Sequence, residues 1–153
     1  MKIWVLAIFR LAPKASRIIK SIENRVEKIA LDAFGITSEQ YERIINLNDE
    51  KRKIINLAIL KRAVEKSVKP RDLDALNRYA FGQSADEISQ NSGVGGSAIR
   101  KRINRAIIAC TEEMEKLGYG ASKLEREYSD IPALINAKRF IERKIRINKR
   151  KRL

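Results

Sequence analysis

Apolar residues recur every three or four positions along most of this chain, and the residues that break helices fall between the periodic stretches. Only seven of the 153 residues are glycine and three are proline. Because one face of an α-helix repeats every 3.6 residues, the pattern predicts helices joined by short turns. We expect an all-α chain with a helical N-terminal unit (residues 1–68), a central three-helix segment (69–118) and a basic helical extension (119–153).

The N-terminal unit begins with an apolar run over residues 3–9. The run resembles the apolar part of a signal peptide, but Arg10 interrupts it and no small-residue cleavage site follows. It is also far shorter than the ~20 residues that span a bilayer. We interpret it as a buried helix or strand, with an interfacial membrane anchor as the alternative.

Three further helices are predicted in this unit. The first covers residues 16–34, where apolar residues keep a helical period. The second begins at a capping box, in which the side chains of Thr37 and Gln40 each accept a hydrogen bond from the other residue's backbone NH. The third is capped by Asn48 or Asp49. Together these helices predict a small helical N-terminal body.

A short helix with strong boundary signals lies near the middle of the chain. Ser84 and Glu87 form a second capping box, and Ile88 supplies the inward-facing anchor. Gly93 stands where a left-handed backbone ends a helix, a conformation that glycine adopts without steric cost. The preceding helix ends at Gly82 and is predicted from the apolar residues Leu73, Leu76, Tyr79 and Ala80.

The third helix of the central segment, capped by Ser97 or Gly96, separates an apolar stripe from a basic face. The stripe comprises Ile99, Ile103, Ala106, Ile107, Cys110, Met114 and Leu117. The outer face and its flanks carry Arg100, Lys101, Asn104, Arg102 and Arg105. Such a helix could bury its stripe against two neighbours while its outer face enters a major groove. The segment predicts a DNA-binding helix-turn-helix, and the alternative is a helical hairpin with a solvated charged face.

The net charge of +14 is concentrated at the two ends of the chain. Residues 1–20 carry five basic side chains and no acid, and residues 138–153 carry nine basic side chains and one acid. Basic tails commonly contact nucleic-acid backbone or acidic membrane surfaces, although a solubilising role is the alternative. The tail residues expected to contact DNA are Arg143, Lys144, Arg146, Lys149, Arg150, Lys151 and Arg152.

The sequence contains no histidine and a single cysteine, Cys110. These counts exclude the common zinc sites and an internal disulfide, and they suit a reducing cytoplasm. Because Cys110 falls on an apolar stripe, we expect it to be buried rather than nucleophilic. No nucleophile is paired with a base, and the adjacent Asp86 and Glu87 point in different directions on a helix. We therefore expect no enzyme activity, no metal and no cofactor.

Residues 76–106 resemble region 4, the promoter-reading helix-turn-helix domain of bacterial sigma factors, especially the extracytoplasmic-function type of the sigma-70 family. The shared pattern is an apolar helix ending in an aromatic residue and glycine, then Ser-x-x-Glu-Ile, then Gly-Val, then a basic helix ending in Arg-x-x-Arg-Ala. Here these motifs begin at Ser84, Gly93 and Arg102. Response-regulator domains of the LuxR type share the turn, but the basic ending fits the sigma pattern better.

The resemblance implies a role in reading duplex DNA at promoters and contact with RNA polymerase. It assigns base reading to Ser97, Arg100, Lys101 and Asn104, and it places Ser84, Arg102 and Arg105 nearer the phosphates. The upstream half lacks the acidic, aromatic-rich signature of sigma region 2. The expected function is therefore a region-4-like transcription regulator of the phage or mobile-element type. The alternative is a DNA-binding assembly protein, such as a phage small terminase subunit, whose N-terminal helices form a homo-oligomer.

Overall fold

The computed structural model describes residues 1–32 and 35–152, with side chains described up to Lys151. The described residues fold into α-helices with one 3-10 turn at residues 12–14, and they contain no strand, which confirms the all-α class. Phe34, at the end of a predicted helix, and the side chain of Arg152 lie outside this description. The helices are α1 (Lys2–Leu11), α2 (Ala15–Asp32), α3 (Ser38–Glu65), α4 (Pro70–Ala80), α5 (Ala85–Gln90), α6 (Gly96–Lys116), α7 (Ala121–Tyr128) and α8 (Pro132–Arg152).

The apolar run near the N-terminus forms helix α1 and lies at the centre of the fold. Seven of its ten residues are buried, and it packs against α8, α4, α3 and α6. The Trp4 indole Nε1 donates a hydrogen bond to Glu125 Oε1 at 2.9 Å, which joins α1 to α7. The buried residues from α1 to α8 form one hydrophobic cluster. The domain boundaries at residues 68 and 118 remain predictions, but α1 shares its core with helices on both sides of them.

Helix α3 is continuous where two helices were predicted, so the expected cap at Asn48 or Asp49 is wrong. Neither glycine nor proline occurs between residues 38 and 65, and nothing therefore interrupts the backbone hydrogen bonds. Asp49 lies in mid-helix, where its carboxylate pairs with Arg52 at 2.6 Å and with Lys53 at 3.2 Å. The predicted capping box of Thr37 is confirmed, because its hydroxyl accepts from the backbone NH of Gln40 at 3.2 Å.

Helix α2 and the first half of α3 form a two-helix arm, defined here as residues 15–32 and 38–53. Only Ala15 and Ile22 are buried in α2, which packs chiefly against α3. Large apolar side chains remain exposed on the arm, namely those of Leu31, Tyr41 and Ile45. The arm is therefore held chiefly by the packing of α2 on α3.

One predicted helix start is corrected by the structure. Helix α6 begins at Gly96 with Gly95 as its N-cap, rather than with Ser97 or Gly96 in that position. Helix α8 begins at Pro132. A proline at the first helical position loses no hydrogen bond, so it can start a helix without a polar cap.

Candidate nucleic-acid interface

Helix α6 lies with its apolar stripe buried against α4, α5 and α3. Leu117 departs from the predicted stripe, since α6 ends at Lys116 and the Leu117 side chain is 44% exposed. The residues of the stripe that are buried are Ile99, Ile103, Ala106, Ile107, Cys110 and Met114. This packing directs the opposite side of α6 outwards.

The short helix α5 is held by the capping box predicted at Ser84. The Ser84 hydroxyl accepts from the Glu87 backbone NH at 3.2 Å, and Glu87 Oε1 accepts from the Ser84 backbone NH at 3.4 Å. Gly93 has a φ of +72°, the left-handed conformation that its position predicted. These local interactions define the turn between α5 and α6.

The first turn of α6 closely approaches a carboxylate from α5. A Cβ atom added to Gly96 would overlap Asp86 Oδ1, so a residue with a side chain at this position would displace the Asp86 carboxylate. The same oxygen lies 3.5 Å from Nη1 of Arg100. The Asp86 carboxylate therefore meets the positive end of the α6 dipole and partly neutralises Arg100, a predicted reading residue.

Arg105 makes a contact that the sequence reasoning missed. Its guanidinium donates from Nε to Oδ2 of Asp72 at 3.2 Å and from Nη2 to Oδ1 at 3.0 Å. The Asp72 side chain is 7% exposed, whereas that of Arg105 is 58% exposed. The hydrogen bonds to Asp72 raise the pKa of the Arg105 guanidinium. Arg105 was predicted to contact a phosphate, but two of its N–H donors instead bind Asp72 and join α6 to α4.

Several predicted DNA contacts remain accessible on the outer face of α6. Ser97, Lys101 and Asn104 are exposed, and Arg102 is half-buried. Within the described part of the chain, none of these four side chains makes an ion pair or a side-chain hydrogen bond. Their polar groups are therefore available to a ligand.

A cavity of about 230 Å³ lies beside this outer face. Residues predicted to contact DNA line it, from the N-cap of α5, from α6 and from α8. Lys2 of α1, for which the sequence predicted no role, lines it as well. The residues that line it include Lys2, Ser84, Asp86, Arg100, Asn104, Asn148 and Lys151. The basic tail and the outer face of α6 are therefore adjacent, which no local sequence signal could have revealed.

The basic residues of α8 otherwise project from a helix that packs on α1. Lys144 is half-buried, with its ammonium 5.8 Å from the centre of the Phe140 ring. The tail residues whose side chains are exposed are Arg143, Arg146, Lys149, Arg150 and Lys151. Their charges give this end of α8 a strongly positive surface.

Cys110 lies in the core, as its place on the stripe predicted. Burial, with a smaller contribution from Glu65, raises the pKa of its thiol to about 12. The thiolate that a nucleophile or metal ligand needs is therefore suppressed at neutral pH. The side chains described include no group of three or more Cys, Asp or Glu residues placed to hold a metal ion.

Comparisons with family models, with curated proteins and with solved structures find no match to this chain. The likeness to sigma region 4 therefore depends on the motifs quoted above. Across the described ranges, no helix has both the length and the apolar character needed to cross a membrane.

Proposed function

We propose that this protein is a sequence-specific duplex DNA-binding transcription regulator that reads its site with the outer face of α6. The observation that carries the proposal is the division of α6 into two faces. One is buried against its neighbours, and the other presents Ser97, Lys101 and Asn104 without partners among the described residues. A recognition helix needs this combination of fixed position and free polar groups.

The dimensions of α6 suit the groove. Its 21 residues correspond to a length of about 31 Å at 1.5 Å per residue. The major groove is roughly 12 Å wide and admits one helix, and its base edges accept hydrogen bonds from Arg, Lys and Asn side chains. The predicted reading residues lie in the first half of α6, and the buried stripe continues through the second half to Met114.

The resemblance to sigma region 4 supports RNA polymerase as a partner and a cytoplasmic location, in a regulator of the phage or mobile-element type. Under this proposal the exposed basic residues of α8 contact phosphates, because charge neutralisation supplies much of the affinity for DNA. Phosphate contacts set the position, and the residues of α6 set the sequence preference.

Selection of bound sequences from random duplex DNA, with and without RNA polymerase, tests the proposal. On a selected duplex, we expect Arg100→Ala or Asn104→Ala to weaken binding by roughly 5- to 150-fold, because each removes a base-reading side chain worth about 1–3 kcal/mol. Asn24→Ala is the matched control, since Asn24 is exposed on the arm. Failure to enrich any sequence, or equal losses on selected and random DNA, would contradict sequence reading.

A second candidate function is DNA packaging by an oligomer, and the exposed apolar residues of the arm favour it. Leu31 is 75% exposed and Tyr41 is 61% exposed, so the arm could lose water-exposed apolar surface by self-association. Light scattering separates the two functions. A stable ring of many subunits supports packaging, whereas a monomer or dimer supports regulation.

A further inference from the structure

The cavity beside α6 gathers cations from three separate elements. Lys2 comes from the start of α1, Arg100 from α6 and Lys151 from the end of α8. Among the described residues that line the cavity, Asp86 alone is acidic, and it pairs with Arg100. The cavity therefore carries an excess of positive charge.

This convergence of cations is unfavourable unless an anion joins them. Partial burial lowers the pKa of the Lys2 ammonium, and the charge of Lys149 lowers it further. Within the described ranges no carboxylate forms an ion pair with Lys2, whose ammonium lies 5.8 Å from the centre of the Tyr79 ring. An anion placed here would reduce the repulsion among the cations that line the cavity.

The polar groups of the cavity suit a phosphate in particular. The amide group of Asn148 and the hydroxyl of Ser84 can donate hydrogen bonds to phosphate oxygens. A water molecule occupies about 30 Å³ of liquid, so about 230 Å³ leaves room for a phosphate and some of its hydration.

The position of the cavity indicates the source of that phosphate. Arg100 and Asn104 belong both to the cavity and to the outer face of α6. A ligand in the cavity would therefore lie beside DNA engaged by α6. A backbone phosphate at the edge of the groove meets this condition without a separate ligand.

We propose that the cavity between α1, α6 and α8 binds one backbone phosphate of the DNA that α6 reads, with Lys2 and Lys151 as its paired cations. The inference rests on the proposed function and adds a contact from the first helix of the chain. It explains why the N-terminal end of α1 lies against the basic end of α8. DNA binding would bridge two ends of the chain that otherwise repel each other.

The salt dependence of DNA binding tests this proposal. We expect Lys2→Gln and Lys151→Gln each to weaken binding to selected and random duplexes alike, and to lower the slope of log K against log salt by about 0.9, the value for one phosphate. Because both lysines serve the same phosphate, the double variant should lower the slope by about 0.9 rather than twice that amount. Lys28→Gln, at an exposed position of α2, is the matched control.

A duplex scan locates the contact. Neutral methylphosphonate linkages are placed one at a time in the selected duplex. At one position the linkage should weaken DNA binding by the wild-type protein but leave binding by Lys2→Gln unchanged. An unchanged salt slope in both single variants, or additive slopes in the double variant, overturns the shared phosphate. Thermal melting of each variant shows that its fold is retained.

Two further outcomes separate the inference from the proposed function. If Asn104→Ala loses selective binding while Lys2→Gln behaves as wild type, the phosphate site is wrong and sequence reading stands. If no sequence is selected but Lys2→Gln lowers the slope on random DNA, the phosphate site stands and sequence reading is wrong. Calorimetry with inorganic phosphate tests a free anion, and binding there without a change in the DNA slope overturns the proposal.

Discussion

Helices α1 and α2 are separated by a single 3-10 turn, yet they occupy very different environments. Seven of ten residues are buried in α1, against two of eighteen in α2. Helix α1 packs against α8, α4, α3 and α6, whereas α2 depends chiefly on α3. Local stability rises with the amount of buried apolar contact. The body, meaning the described helices outside the arm, should therefore open only with global unfolding. The arm should open at lower cost and leave the DNA-facing surface in place.

The largest expected effect comes from a comparison of two leucines, one in α1 and one in the arm. Leu6 in α1 is fully buried, and Leu6→Ala should lower the free energy of unfolding by roughly 2–5 kcal/mol, through lost burial and the cavity left behind. Leu31 in the arm is 75% exposed, and Leu31→Ala should change it by less than about 0.5 kcal/mol. Chemical denaturation measures both. An equal loss for Leu31→Ala would mean that the arm is buried by another copy.

A second comparison uses two ion pairs. Asp72→Asn in α4 should cost about 1–3 kcal/mol of unfolding free energy, because a buried carboxylate that accepts two hydrogen bonds from Arg105 is lost. Asp49→Asn in the arm should have a much smaller effect, because its pair with Arg52 is solvent-exposed. Denaturation of the wild type and of Asp49→Asn at neutral pH and at pH 3 then tests the Asp49 pair.

The direction of the pH effect follows from the Asp49 pKa. Hydrogen bonds from Arg52 and Lys53 lower that pKa in the folded state below its usual 3.8. The contribution of Asp49 is therefore present above pH 3.8 and is lost as the pH falls through the folded value. Asp49→Asn should abolish that part of the acid sensitivity. A variant as acid-sensitive as the wild type would show that the pair contributes nothing.

The smallest effect concerns the two capping boxes. Ser84→Ala and Thr37→Ala each remove one side-chain acceptor and should cost about 1 kcal/mol locally. Hydrogen exchange at the first turn of each helix measures this loss. For Thr37→Ala we expect faster exchange confined to the arm with little change in the melting temperature, whereas Ser84→Ala should lower the melting temperature. Ser84→Thr, which keeps the hydroxyl, is the control. A lower melting temperature for Thr37→Ala would show that arm and body unfold together.

Much of the local structure could be predicted from short stretches of sequence. The capping boxes at Thr37 and Ser84, the left-handed Gly93 and the buried stripe of α6 each depend on residues within a few turns of one another. Such interactions are fixed by helix geometry alone. The prediction that a new helix begins at Asn48 was wrong. Asn48 is a residue type that favours helix N-caps, but nothing in the sequence ends the preceding helix there.

The candidate site was only partly predictable. The outer face of α6 follows from periodicity, so Ser97, Lys101 and Asn104 could be placed there. The ion pair between Arg105 and Asp72 could not be predicted, because the two residues are 33 positions apart. An acid at the apolar face of α4 is the one signal that could have suggested such a partner.

The sequence by itself therefore determined that this is an all-α chain with a two-faced, basic helix after a capped short helix. The tertiary structure decided that α1 lies at the centre and that Lys2, Lys151 and Arg100 line one cavity. The physical reason is the separation along the chain of the residues that interact. Hydrogen bonds and side-chain contacts within a helix involve residues three or four apart, whereas the packing of helices depends on how complete apolar faces fit together in space.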